Sequence, residues 1–185
     1  MSPVRVSNWV EPYVQIGSVQ QLIVSLVNQQ APTFTAPIAD TDGLSTMTLS
    51  DALGDGPIVL AFFPAAFSSV CTAELCTFRD GLSTFNELSA TIYGISTDLP
   101  YALAEFRTQF ELGFPLISDT NGTIIEQYGV TTSFDHIGLQ PVAQRAVFVL
   151  DETGRVVYEW IADNPGQQPE YDAVESAVAT LIAEQ

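Results

Sequence analysis

The chain is expected to fold as an α/β protein: a central mixed β-sheet flanked by helices. Three observations lead there. From Ala31 onward, apolar runs of strand length alternate with segments of helical period. The segment RAVFVLDETGRVVYEW, residues 145–160, sets two apolar runs around Glu-Thr-Gly, as a hairpin does. At 185 residues and 46% hydrophobic content, the chain is long enough to bury a core as one domain without covalent staples.

The elements run in order along the chain. APTFTAPIADTDG carries two prolines and an Asp-Gly signal and reads as turn-rich. STMTLS suits a short strand, and SDALGDGP a turn of helix ending at glycine. PIVLAFF is a continuous apolar run, as a strand buried on both faces requires. Cys71, Leu75, Phe78, Leu82 and Phe85 then form one stripe at helical spacing. TIYGIST is another buried strand, and LPYALAEFRTQFEL a helix with proline in its first turn. FPLISD is a strand, GTIIEQYG a short helix closed by Gly129, and TTSFDHIGLQP a loop. After the hairpin, PEYDAVESAVATLIAEQ is a final amphipathic helix.

Residues 1–29 differ from the remainder of the chain. They are rich in Val and Gln and hold a single acid, Glu11. They read either as an extension ahead of a true start near Val27 or as an added helix or strand. The main domain is placed at residues 30–185. LIVSLV is too short for a secretory leader or a membrane span, which makes the cytoplasm the expected location.

Charge excludes whole classes of partner. There are 22 Asp and Glu against 5 basic residues, all arginine, for a net charge of −17. Such a surface repels phosphate backbones and anionic headgroups, so neither nucleic acid nor a membrane surface is expected as a partner. Dense carboxylate without lysine fits adaptation to a salty cytoplasm.

The chemistry gathers at FFPAAFSSVCTAELCTFRD, residues 62–80, which contains both cysteines of the chain, Cys71 and Cys76. A buried strand ends at Phe63, Pro64 and small residues come next, and Cys71 enters the first turn of the following helix. Unpaired backbone N–H groups and the helix dipole favour a thiolate there. A small apolar core residue is the competing reading, since Cys71 also lies on the apolar stripe. Five helical steps put Cys76 roughly 140° around from Cys71, on the polar face. Their Cα atoms would lie roughly 8.6 Å apart on a helix. That exceeds the ~7 Å limit for a disulfide, so a bridge requires the first helical turns to unwind.

These residues carry a resemblance. PAAFSSVC, Pro64 to Cys71, is similar to the peroxiredoxin pattern P-x-x-x-[T/S]-x-x-C. The preceding strand, VCTAELCTFRD and the arginine leading the terminal hairpin resemble that family too. The resemblance runs from about Gln30 to the C-terminus. It implies a thioredoxin-like fold and a thiol peroxidase acting on hydrogen peroxide and small organic hydroperoxides. Carried over by position, Cys71 is the peroxidatic cysteine and Pro64 shields it. Ser68 stands where threonine is usual, its hydroxyl meeting peroxide and thiolate. Arg145 supports both, and Glu74 positions the arginine. Arg79 either joins the Glu74 network or pairs with a surface acid. The C-x-x-x-x-C spacing resembles the Q-type (bacterioferritin-comigratory) group, which implies that Cys76 resolves the sulfenic acid after local unfolding. The implied partner is a thioredoxin- or glutaredoxin-like reductant, and the implied assembly a monomer or homodimer.

Other chemistry is thin. His136 is the only histidine, and Cys-x4-Cys on one helix cannot converge on an ion, so no metal or other cofactor is expected. The absence of Cys-x-x-Cys argues against a dithiol reductase. A one-cysteine enzyme resolved by an external thiol and a non-catalytic holdase of the same fold are the alternative readings.

Overall fold

The computed structural model describes residues 25–183. The strands are β1 (Thr35–Asp40), β2 (Gly43–Thr48), β3 (Ile58–Phe62), β4 (Thr91–Ser96), β5 (Leu116–Ser118), β6 (Thr131–Phe134), β7 (Leu139–Ala143), β8 (Ala146–Leu150) and β9 (Val156–Ile161). The helices are α1 (Ser69–Asp80), α2 (Leu82–Glu87), α3 (Pro100–Gln109), α4 (Thr123–Gln127) and α5 (Tyr171–Ala183). Seven strands form one sheet in the order β2-β1-β5-β4-β3-β8-β9. β3, β4 and β5 run parallel, and the remaining pairings are antiparallel, so the sheet is mixed as expected.

The strand period of two explains why β3 and β8 lack polar residues. Val59, Ala61 and Phe63 face a cluster with Val147 and Val149, under Leu75 of α1, Phe85 of α2, Leu103 of α3 and Val174 of α5. Ile58, Leu60 and Phe62 face the other cluster, with Phe148, Leu150, Ile125 and Tyr128. Each large apolar side chain buried this way contributes roughly 1.5–3 kcal/mol. α1 is held by Leu75 and Phe78, and Phe78 also stacks edge-on against Tyr171 with ring centres 5.2 Å apart.

Three segments depart from the sequence reading. The apolar stripe suggests one helix from Cys71 to Phe85, but the helix is broken at Gly81, whose N–H bonds back to Thr77 while its carbonyl starts the next turn. Glycine holds helix poorly, and the stripe resumes in α2. The proline-rich stretch before Gly43 contains β1. Its pairing with β5 begins only at Ile38, so Pro37 lies where that side is still an open edge and proline is tolerated. TTSFDHIGLQP is mostly a β-hairpin, β6–β7, turning at Gly138 with φ 70°. Its strands pair only with each other, so no alternating apolar face marked them in the sequence.

Of the first 29 residues, 1–24 lie outside the described residues, and with them the question of an added element there. Beyond them, Asn28 and Gln29 exchange backbone bonds with Val156 at 2.8 and 2.9 Å, alongside the start of β9. No helix among the described residues is long and apolar enough to cross a membrane.

Candidate active site

Register assembles the site. Antiparallel pairing sets Phe62, the last residue of β3, opposite Ala146, the first of β8. The chain leaving β3 toward α1 therefore passes the residue entering β8, Arg145. Position 145 has the parity of Val147 and Val149, so its side chain lies on the face that α1 covers. Cys71 is the third residue of α1, and Glu74 lies one turn further on the same face.

All three side chains are buried. Arg145 donates through Nη2 to Cys71 Sγ at 3.4 Å and to the Pro165 carbonyl at 3.2 Å. Through Nη1 it donates to Glu74 Oε2, closing a buried ion pair. Burial pushes the Glu74 carboxyl up to about 7, with Arg145 pulling the other way. For Arg145, burial opposes the charge, but Glu74 and Cys71 more than offset it and hold the guanidinium above its ordinary value. A planar fork that spans a carboxylate and a sulfur orients its donors before any substrate arrives.

Pro64 is buried and borders a pocket of about 80 Å³ whose walls include Arg145, Gln144, Phe134, Asn164 and Pro165. The β6 hairpin missed in the sequence thus supplies one wall, through Phe134. Ser68 sits where α1 begins, but its hydroxyl is exposed and donates to the Ala65 carbonyl at 3.0 Å, away from the thiol. Cys76 is half-buried on the outer side of the same helix, and both thiols are free. Arg79 takes the surface alternative: it pairs with Asp80 at 2.8 Å and donates to the Phe110 carbonyl at 2.8 Å, away from Glu74. His136 lies in the turn between β6 and β7. Among the described residues, no group of three His, Cys, Asp or Glu side chains is placed to hold a metal ion.

One contact has no counterpart in the sequence reading. The Asp98 carboxylate, just past β4, accepts from the Ala66 N–H at 2.7 Å and from the Ser96 hydroxyl at 2.9 Å. The usable signal was position: residues after the carboxyl ends of parallel strands cluster together in α/β sheets.

The model of the AhpC/TSA family matches residues 27–159, which span β1 to β8, most of β9 and the whole Cys71–Glu74–Arg145 set. The chain belongs to the AhpC/TSA family. A Mycobacterium tuberculosis protein named as a peroxiredoxin is 39% identical over 135 residues, 73% of this chain and 84% of that one. The crystal structure of peroxidoxin BcpB from M. tuberculosis is similar at a TM-score of 0.71 and 32% identity, covering 86% of this chain and 97% of that one. Xanthomonas campestris peroxiredoxin Q is similar at a TM-score of 0.67 and 26% identity, covering 79% and 90%. Membership settles the class of activity: the chain is an oxidoreductase, a thiol-dependent peroxidase of thioredoxin-like fold. A purely binding role is thereby set aside.

Proposed function

We propose that Cys71 is the peroxidatic residue of a Q-type enzyme and Cys76 its resolving partner. The observation that carries this is the Arg145 guanidinium, 3.4 Å from the Cys71 sulfur in a buried site. A guanidinium there faces the sulfur and can donate to an oxygen arriving at it.

In the first step the Cys71 thiolate attacks one oxygen of the peroxide. An S–O bond forms, the O–O bond breaks, and the other oxygen leaves as hydroxide or alkoxide and takes up a proton. Sulfur loses two electrons and the peroxide gains them. Glu74 keeps Arg145 in place, and Pro64 screens the thiol from bulk water. Ser68 would have to turn from Ala65 to reach the peroxide, a rotation that an exposed side chain makes readily.

In the second step the Cys76 thiolate attacks Cys71 Sγ. An S–S bond forms, the S–O bond breaks, and hydroxide leaves to become water. This requires the first turns of α1 to open. A dithiol of thioredoxin or glutaredoxin type then supplies two electrons and two protons to restore both thiols. The substrates are hydrogen peroxide and small organic hydroperoxides, and the setting is a salt-rich cytoplasm, where the enzyme works as a monomer or homodimer. A melting temperature that falls as potassium chloride rises would remove the salt-adaptation reading.

Rapid-quench mass spectrometry tests the central assignment. One equivalent of peroxide should yield a sulfenate at Cys71, then an intramolecular Cys71–Cys76 bridge. First oxidation at Cys76 would overturn the assignment, and a persistent sulfenate would leave an external thiol as the resolver.

A further inference from the structure

The two chemical steps make opposite demands on one segment. The peroxide step needs the Pro64–Cys71 stretch closed, with Cys71 against Arg145. The disulfide step needs the same stretch open. Whatever ties that stretch down therefore sets the ratio of the two rates.

Asp98 is placed to do this. β4 runs parallel to β3 with Ile95 opposite Phe62, so the two strands end side by side. From just beyond β4, the Asp98 carboxylate accepts from the Ala66 N–H at 2.7 Å. The same oxygen accepts from the Ser96 hydroxyl at 2.9 Å, and the Ser118 hydroxyl at the end of β5 donates to the Asp98 carbonyl at 2.6 Å. The ends of β4 and β5 thus hold Asp98, and Asp98 holds the chain leaving β3.

The neighbouring residue shows that this segment needs holding. Phe67 has φ 64°, a left-handed backbone that a bulky side chain adopts only under outside constraint. Its ring is 48% exposed, yet it rests edge-on against Phe106 of α3 with centres 5.0 Å apart, and 6.3 Å from Phe110. The strained turn is fixed on one side by a carboxylate and on the other by two rings.

We propose that Asp98 is a positioning residue for the peroxidatic segment: it latches Ala66 while peroxide reacts, and its release precedes the unwinding that lets Cys76 reach Cys71. This rests on Cys71 and Cys76 having the roles assigned above.

The test tracks both steps separately, by rapid-quench mass spectrometry, in wild type, Asp98→Ala and Asp98→Asn. In Asp98→Ala the rate of Cys71 oxidation should fall about tenfold, the loss expected for one strong charge-assisted bond, while disulfide formation accelerates. Asp98→Asn keeps an acceptor for Ala66 and should regain most of the oxidation rate. Amide exchange at residues 65–72 should quicken in Asp98→Ala with the rest of the sheet unchanged. Slowing of both steps together in a variant that is folded by circular dichroism overturns the proposal, as does a ratio of rates that does not move. Should Asp98→Ala fail to fold, Ser96→Ala replaces it: by freeing the carboxylate it should shift the ratio in the same direction, and an unmoved ratio there and in Asp98→Asn counts equally against the latch. A wild-type enzyme that forms no Cys71–Cys76 bridge overturns the underlying assignment and this proposal with it. A wild-type bridge with unmoved variants removes only the role of Asp98.

Discussion

The two cysteines share one helix and little else. Cys71 is buried, faces the sheet and touches a cation held by a buried carboxylate. Cys76 is half-buried on the outer side, close to an arginine that is already occupied by Asp80 and a carbonyl. A thiol's task here is set by its surroundings rather than its intrinsic chemistry. In the roles proposed above, the buried one attacks beside a fixed charge, and the outer one waits for the helix to open.

Exchanging or removing the groups that make the two sites unlike tests this contrast. The largest effect is expected from Cys71→Ser, which should abolish peroxide consumption; measurable turnover in that variant would end the contrast outright. Next comes Arg145→Gln, which removes the charge beside the sulfur. Its second-order rate with peroxide should drop about 10²–10³-fold, as when a donor to developing charge is lost, in protein shown by circular dichroism to be folded. Arg145→Lys should recover little, because an ammonium cannot span Glu74 and Cys71 together.

Cys76→Ser sharpens the contrast from the other side. Single-turnover oxidation of Cys71 should stay within about twofold, while steady-state turnover with a thioredoxin-type reductant falls about tenfold as an intramolecular step is lost. Undiminished turnover would show that Cys76 is a bystander.

Glu74→Gln separates stability from reactivity. The Glu74 carboxyl is raised from 4.5 to about 7 by burial, so the folded state holds its proton more tightly than the unfolded state does. The stability it contributes is complete below pH 4.5 and is lost as pH rises through about 7. Urea midpoints of wild type should therefore fall more between those limits than those of Glu74→Gln, while the variant reacts more slowly with peroxide because Arg145 has lost its charged anchor. Parallel pH slopes in the two proteins would contradict the shift. The smallest effect is expected from Arg79→Gln. A solvent-exposed pair with Asp80 is screened by water and contributes little, so either rate should change by about twofold or less.

What the amino-acid sequence determined by itself is local or periodic. The unbroken apolar run of β3 read as a strand covered on both faces and that of β8 as the first strand of a hairpin, and both strands are fully buried. The step from strand to proline to helix put Cys71 in a first turn, and helical geometry alone separated it from Cys76. The motif from Pro64 to Cys71 carried the family, and the resemblance, not any periodicity, drew attention to Arg145. Tertiary structure decided the rest, because it depends on which distant segments meet. The register of β3 on β8 brings Arg145, of the four arginines among the described residues, to the sulfur, while Arg79 pairs with Asp80 at the surface. The β6–β7 hairpin could not be read because its strands pair only with each other and bury too little to imprint a pattern. Asp98 could not be read because a carboxylate that accepts a backbone N–H 32 positions away leaves no mark on the residues between. A side chain's burial is written in its neighbours along the chain, but its partner across the sheet is not.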